Sequence, residues 1–440
     1  DLATFSSRRI AAFTSVIGLD VKVGNSVTVS INVLFIHQNF PAQFKSLAPA
    51  LVREGHNVRT LTIRDFPKSD WNGVSVSNYS IKRGTSEGIH PWILDFETKV
   101  IRGEACFNAA LELKKSGYSP DIIVAHPGWG ESMFLKEVWP KARLGLYCEF
   151  FYHHEGLDIG FDQEFANADL ENPCRIALKN TNYLYNINQA DAGLAPTEWQ
   201  ARTFPESFRS KITVSHDGVD TSAVKPNKDV VVTINGSLKL TRGDQIVTYV
   251  ARNLEPLRGA HIFLRAVPKI LRENAEARIL IAGKDDVGYG SGPAGGGTWK
   301  EFLLNEIKPQ LKDSEWGRLH FVGHLPYHYF LNLLQVSSVH VYLTYPFVLS
   351  WSLLEAMSVG CAVVASRTGP VTEVITDDST GKLVDFFDIE GLAQQVGELL
   401  NDPQKRTVLG REARGLAIQN YDLTRVCLPR HVEWVEGMLN

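Results

Sequence analysis

From residue 31 onward, short runs of β-branched and apolar residues alternate with longer helical stretches. That alternation restricts the chain to parallel sheets joined by right-handed crossovers. INVLFI (31–36) reads as the first strand and AQFKSLAPALVREG (42–55) as its helix, with irregular first turns because Pro49 has no amide hydrogen to donate. NVRTLTI, DIIVAH, RLGLYCEF, AGLAP and KITVSH follow as strand candidates, with helical segments such as ETKVIRGEACFNAALELKKSG (97–117) between them. Over 221–245, TSAVKPNKDVVVTINGSLKLTRGDQ breaks the alternation with a proline-bearing stretch and an Asn-Gly hairpin signal. A second series then runs through IVTYVA, ARILIAG, RLHFVG, VHVYLTY, CAVVAS and GKLVDF. The expected fold class is α/β, with two Rossmann-like doubly wound domains facing across a cleft. We divide the chain into 31–224, 225–415 and a C-terminal helix over 416–440 that packs back towards the first domain; residues 1–30 form an extension expected to be poorly ordered.

Bulk properties agree with that division and remove other classes. The 440 residues exceed what one hydrophobic core usually serves, and 44% apolar with 21% charged residues is the balance of an ordinary globular chain. A net charge of −4, without a long basic block, argues against a nucleic-acid partner. The five cysteines are scattered and never form a C-x-x-C pair, so a reducing, cytoplasmic setting is expected. No apolar run reaches the roughly 20 residues of a membrane-spanning helix. The amphipathic end of the chain lacks a predominantly basic polar face, so it is taken as a packing helix and membrane-surface contact has no support.

In open α/β sheets, ligands bind beyond the carboxyl ends of the strands, so the loops there carry the candidates. GSGPAG (290–295) satisfies G-x-G-x-x-G but lies in a glycine-rich insertion with Pro293 instead of joining strand to helix, and is set aside as a dinucleotide site. ARNLEPLRGAHIFLRAV (251–267) puts Arg252 and Arg258 around a short loop that opens a helix. Two guanidiniums and a helix N-terminus suit a diphosphate, the plainer alternative being solvated loop charges. YPFVLSWSLLEAMSVGC (345–361) leads from a strand into a helix beginning near Ser350, whose backbone and hydroxyl are offered to an anion. Glu355 stands among apolar neighbours and needs a partner, either a ribose diol or an internal arginine. HPGWGES (126–132) places His126 at a strand end with Gly128 and Gly130 beside it. HQNFPAQF (37–44) faces the same cleft with Asn39, Phe40 and Pro41. CEFFYHHEGLDIGFDQEF (148–165) supplies Glu149, Tyr152 and His153 as contacts to a polyhydroxylated acceptor. His153 and His154 are adjacent and aim poorly at a single metal ion.

Together these segments resemble the family 4 glycosyltransferases of group-1 type, with the GT-B architecture, over about residues 31–440. The resemblance lies in Arg252 and Arg258-Gly259 (that family has Lys-Gly), in LLEAMSVGCAVVAS followed by GPVTEVI, in SHDGVD (215–220), and in HQNFPAQFKSLAPALVREGHNV, where Asn39-Phe40-Pro41 replaces a glycine-rich loop. It implies an enzyme of polysaccharide-biosynthesis type that moves a sugar from a nucleotide-sugar donor to a hydroxyl acceptor, with retention of configuration, no cofactor and no obligatory metal. His126, Arg252 and Arg258 would be catalytic; Phe347, Leu349, Ser350, Trp351 and Glu355 would bind the donor, with Glu355 on the ribose. Phe347 departs from the pattern, since the family usually carries an acid eight positions before Glu355. The alternatives are a catalytically silent pseudo-transferase that binds nucleotide sugar or a partner enzyme, and an epimerase of the same architecture.

Overall fold

A computed structural model describes residues 30–166, 171–290 and 292–440, so the extension read over 1–30 falls, apart from Ser30, outside the described residues. The first sheet contains β1 (Asn32–Ile36), β2 (Asn57–Thr62), β3 (Asp70–Trp71), β4 (Val74–Asn78), β5 (Ile122–Ala125), β6 (Arg143–Tyr147), β7 (Ala192–Ala195) and β8 (Ile212–Val214). Their order is β3-β4-β2-β1-β5-β6-β7-β8, and all neighbours are parallel except β3 with β4. β3 and β4 close through Asn72 and Gly73, both at positive φ, a two-residue turn that the sequence reading passed over. β9 (Val231–Ile234) and β10 (Leu238–Thr241) form the hairpin announced by Asn235-Gly236.

The second sheet contains β11 (Ile246–Asn253), β12 (Arg278–Lys284), β13 (Leu319–Gly323), β14 (Val339–Tyr342), β15 (Ala362–Ser366) and β16 (Lys382–Val384), in the order β13-β12-β11-β14-β15-β16 and parallel throughout. Every residue of β14 and β15 is buried, which is why these strands read as continuous apolar runs without alternation. In both sheets the first strand lies between the second and a later one: β1 between β2 and β5, β11 between β12 and β14. Crossovers leave such a strand pair towards opposite faces and open a crevice at its carboxyl end. His37 and His126 follow β1 and β5; the 254–259 and 343–350 segments follow β11 and β14. The two crevices face each other, with Lys45 Nζ 4.4 Å from the Trp351 ring and Phe150 4.9 Å from Phe347.

The chain crosses between the halves more than once. Leu428–Gly437 returns to the first sheet and, with Met438 just after it, packs Trp434 and Val435 with Phe35 and Leu47; Gly145 on β6 leaves room for Trp434, because a Cβ there would lie 2.7 Å from its ring. The division drawn at 415/416 falls inside the helix Pro403–Tyr421, which continues because Leu409, Ala413 and Ala417 are all core residues. The break comes at Asp422, whose carboxylate accepts the Thr221 hydroxyl and the Arg425 amide. A further crossing was not foreseen: the second half of 148–165 lies on the other domain. Phe161 packs on Tyr345 and Phe386, Asp162 Oδ2 accepts the Tyr345 hydroxyl at 2.7 Å and lies 3.0 Å from His261 Nε2, and Glu164 pairs with Arg265 at 2.6 Å. All five cysteines are free.

One buried group in the second core gives a pH test. His340 has no exposed surface, and burial pushes its imidazole down to about 3, with Thr248 Oγ1 2.9 Å from Nδ1. The unfolded chain takes up this proton below about pH 6.5 while the folded one does so only near 3. The histidine's contribution is therefore intact at neutral pH and lost as pH falls through that window. His340→Gln should lose about 2 kcal/mol less than the parent chain between pH 7 and pH 5, measured by denaturant unfolding at each pH.

Candidate functional site

On the first sheet the site is built around His126. β5 is wholly buried and delivers the imidazole, 3% exposed, into the crevice. Its Nδ1 accepts the Gly128 amide at 3.1 Å, and Nε2 lies 3.4 Å from Glu149 Oε2. Trp129 stacks with the ring at 4.3 Å and Tyr147 at 5.8 Å, with His37 edge-on at 5.5 Å. Gly130, at φ +101, approaches the Lys99 backbone too closely for any side chain. Burial pushes the Glu149 carboxyl up, but contacts to His126 and to Gln43, whose Nε2 donates at 2.9 Å, outweigh it and hold the group below its ordinary value. Burial, reinforced by His126, lowers His37 to about 3, so it stays neutral, with Nδ1 accepting the Asn39 amide.

The proposed acceptor contacts divide. Asn39 is exposed and Pro41 half-buried at the crevice rim. Phe40 is withdrawn: it has no exposed surface and packs on Phe35, Phe66 and Trp71 inside the core. Tyr152 is half-buried beneath Lys179, whose Nζ lies 3.5 Å from its ring, and His153 is turned away to the Thr203 carbonyl at 2.8 Å. Among the described residues no group of three or more His, Cys, Asp or Glu could hold a metal ion.

On the second sheet, β11 runs into a tight turn, Pro256–Arg258, and Gly259 at φ +71 starts the helix Ala260–Glu273; a Cβ on Gly259 would overlap Leu343. Arg258 Nη1 donates to Thr344 Oγ1 at 3.1 Å and to the Val348 carbonyl at 2.9 Å, joining the loops after β11 and β14. Arg252 is exposed, with no hydrogen bond or ion pair among the described residues. Ser350 caps the helix Trp351–Ser358, while the Leu349 side chain is buried beneath it. Glu355 Oε1 accepts the Tyr327 hydroxyl at 2.8 Å, so its partner is a tyrosine and not an arginine. Burial pushes this carboxyl up, against the opposing pull of Tyr327 and Lys45. Phe347 is 4% exposed, wedged between Phe150 and Tyr289 with the Arg258 guanidinium 5.6 Å from its ring, and so does not form an open platform.

One carboxylate links the two sides. Asp217 accepts the Tyr147 hydroxyl on both oxygens, at 2.9 and 2.8 Å, and the Trp351 indole N–H at 2.7 Å. Tyr147 is the ring stacked on His126, and Trp351 is the first residue of the helix capped by Ser350. A cavity of about 370 Å³ opens at the carboxyl ends of β12 and β13, lined by Leu254, Lys284, Asp285, Lys300 and His324. A larger one, about 1160 Å³, runs between β4 and the helix Leu94–Lys115 and contains none of the candidate residues. Sequence reasoning missed His37, Gln43, Lys45, Tyr147 and Asp217. Gln43 and Lys45 were within reach, since they occupy or adjoin the loop already singled out, and Asp217 lies in SHDGVD.

Residues 54–224 match the family described as Glycosyl transferase family 4 group, and residues 234–416 match Glycosyl transferases group 1. The chain is 27% identical over 232 residues to the D-inositol 3-phosphate glycosyltransferase of Nocardia farcinica, covering 52% of this chain and 49% of that protein. It is 26% identical over 251 residues to the GDP-mannose-dependent alpha-(1-6)-phosphatidylinositol monomannoside mannosyltransferase of Mycolicibacterium smegmatis, covering 53% and 59%. The matched stretch thus spans about half the length of these relatives. Among solved structures, Anabaena HepE in complex with UDP and glucose superposes with a TM-score of 0.63 at 15% identity, covering 93% of this chain and 99% of that one, a likeness of fold.

If Asp217 couples the two sides, a double-mutant cycle of Asp217→Ala with Trp351→Phe should give an interaction energy of about 1–3 kcal/mol in denaturant unfolding. Additive effects would mean that the indole and the carboxylate act independently.

Proposed function

Because this chain belongs to the group 1 glycosyl transferases with a family 4 N-terminal half, and has their GT-B fold, we propose that it moves a hexose from a nucleoside-diphosphate donor to an acceptor hydroxyl, with retention of configuration and without an obligatory metal. One observation carries the reading: Arg258 stands at the switch point of the second sheet, between the starts of Ala260–Glu273 and Trp351–Ser358, with only Nη1 engaged by protein. Its Nε and Nη2 remain for a diphosphate, which the two helix N-termini also favour. Arg252, near the end of the strand that leads into this loop, adds a second cation without an ion pair among the described residues. This positive charge would stabilise the departing diphosphate as its negative charge develops, the work a metal ion does elsewhere. Glu355 and Tyr327 would take the ribose, and the backbone at Leu349, Ser350 and Trp351 the phosphates.

Across the cleft, His126 and Glu149 would receive the acceptor, with Asn39 and Pro41 at the rim. In the step itself, the bond from the anomeric carbon to the diphosphate oxygen breaks and a bond to the acceptor oxygen forms on the same face. The acceptor proton passes to the departing phosphate oxygen. Same-face delivery retains the configuration, and it needs no carboxylate nucleophile. Asp217 and Glu355 are already engaged by protein donors, and Glu149 by His126 and Gln43. The named relatives favour a GDP- or UDP-linked hexose and a cyclitol or glycan hydroxyl. Five free cysteines accord with a reducing, cytoplasmic setting.

Purified protein offered a panel of UDP-, GDP- and ADP-hexoses, with inositol phosphates and oligosaccharides as acceptors, should release nucleotide from one donor, undiminished by EDTA. Arg258→Ala should reduce kcat/KM about 10²- to 10³-fold, and the product's anomeric proton should keep the donor's configuration by NMR. Nucleotide binding without release from any donor–acceptor pair would point to the silent pseudo-transferase, and a product of opposite configuration would remove the same-face step.

A further inference from the structure

The two residues just before the glycine-rich stretch set aside as a dinucleotide fingerprint, Gly288 and Tyr289, are seated against the donor crevice. After β12 the chain turns back to the loop that carries Arg258. There Glu255, 2% exposed, accepts the Tyr289 amide at 2.7 Å. Gly288 has φ +78, and a Cβ at that position would overlap the Glu255 carboxylate. Both the backbone conformation and the contact therefore demand glycine. The seat fixes a ring: Tyr289 is 55% exposed, yet its centroid lies 5.4 Å from Phe347 at an interplanar angle of 60°. Phe347 is itself 4% exposed, closed on another side by Phe150 at 4.9 Å, and bears the Arg258 guanidinium at 5.6 Å.

An exposed aromatic ring, held by a buried latch and packed on the buried Phe347, thus stands one ring away from the arginine assigned to the diphosphate. A sugar attached to that diphosphate has a hydroxylated edge and a face of C–H bonds, and apolar C–H surface gains by leaving water against an aromatic face. Sugar recognition here does not call for a carboxylate at 347. Tyr152, by contrast, has its ring covered by Lys179 and offers no such face.

We propose that Tyr289 is a donor-binding residue whose ring receives the C–H face of the donor's pyranose, and that the Glu255–Gly288 seat sets its position. The proposal rests on the nucleotide-sugar reading of the same site.

The test is calorimetric binding of UDP against UDP-glucose, and of GDP against GDP-mannose, to the full chain. The readout is the ratio of the two affinities within each pair, so the bare nucleotide serves as reference. Tyr289→Ala should lower the sugar-dependent gain about tenfold, and Gly288→Ala should do the same by unseating the loop. Tyr289→Phe should retain it, because the ring and not the hydroxyl makes the contact. A ratio unchanged in Tyr289→Ala overturns the proposal, as does a loss in Tyr289→Phe equal to that in Tyr289→Ala. If the parent chain binds no nucleotide of either pair, the nucleotide-sugar reading fails and takes this inference with it. The bare-nucleotide arm tells that failure from the first two.

Discussion

Strand order is the constraint on which the rest of this molecule depends. A parallel pair whose crossovers leave to opposite faces cannot cover its own carboxyl end, and each sheet contains one such pair, β1 with β5 and β11 with β14. The exposed ends are chemically unlike. One presents His37, His126 and Glu149, the other Arg258 and the N-terminus of Trp351–Ser358. An anion-seeking crevice and a crevice of imidazole and carboxylate are thereby set opposite each other by topology, before any individual side chain is chosen.

Opposition alone does not set a distance, and here several contacts crossing between the halves do so. Asp217 ties Tyr147 to Trp351, Asp162 ties the 158–166 segment to His261 and Tyr345, and Glu373 accepts the Glu198 and Trp199 amides at 2.7 Å each. These contacts are not equivalent. The Glu373 carboxylate is exposed, and the Arg265–Glu164 pair has its carboxylate 44% exposed, where an ion pair is worth about 0–1 kcal/mol. Asp162 is almost fully buried, 4% exposed in its side chain, and accepts the buried Tyr345 hydroxyl, so pulling the segment away would leave that hydroxyl and the carboxylate stranded away from water. The closed relation of the halves is therefore held chiefly at the 158–166 segment, with Asp217 aligning what faces the cleft.

What could be read from the sequence follows the same division between local and long-range order. The positions of His126, Arg258 and Ser350 were legible because strand periodicity locates strand ends and the polar residues beyond them face a crevice, and Glu355 stood out as a carboxylate among apolar helix neighbours. The Asn235-Gly236 hairpin was legible because its turn needs two positive φ values. Asp217, Tyr289 and the 158–166 crossing were not, since each acts on a residue more than 50 positions away and no local period encodes the pairing. Phe40 was misread for a related reason: a loop residue beside a crevice can face inward, and its ring fills the space beneath Trp71. The helix through 415 was cut too early because its core contacts at Ala413 and Ala417 leave no mark distinct from those of its neighbours.

Phe347 is where local and long-range order meet. An acid was expected at this position by resemblance, and its replacement by Phe347 left open the alternative of a silent transferase. In place, the side chain is 4% exposed and touches the Arg258 guanidinium, so a carboxylate there would have to shed its water and would pair with that arginine. A phenyl ring instead contacts the guanidinium through its face without neutralising it. Nε and Nη2 then stay available, and Phe150 and Tyr289 close around the ring from the two halves of the chain. An aromatic residue in place of the acid therefore leaves the Arg258 charge unneutralised, and under the proposed function the sugar of the donor would meet apolar surface where the resemblance expects a hydrogen-bonding group.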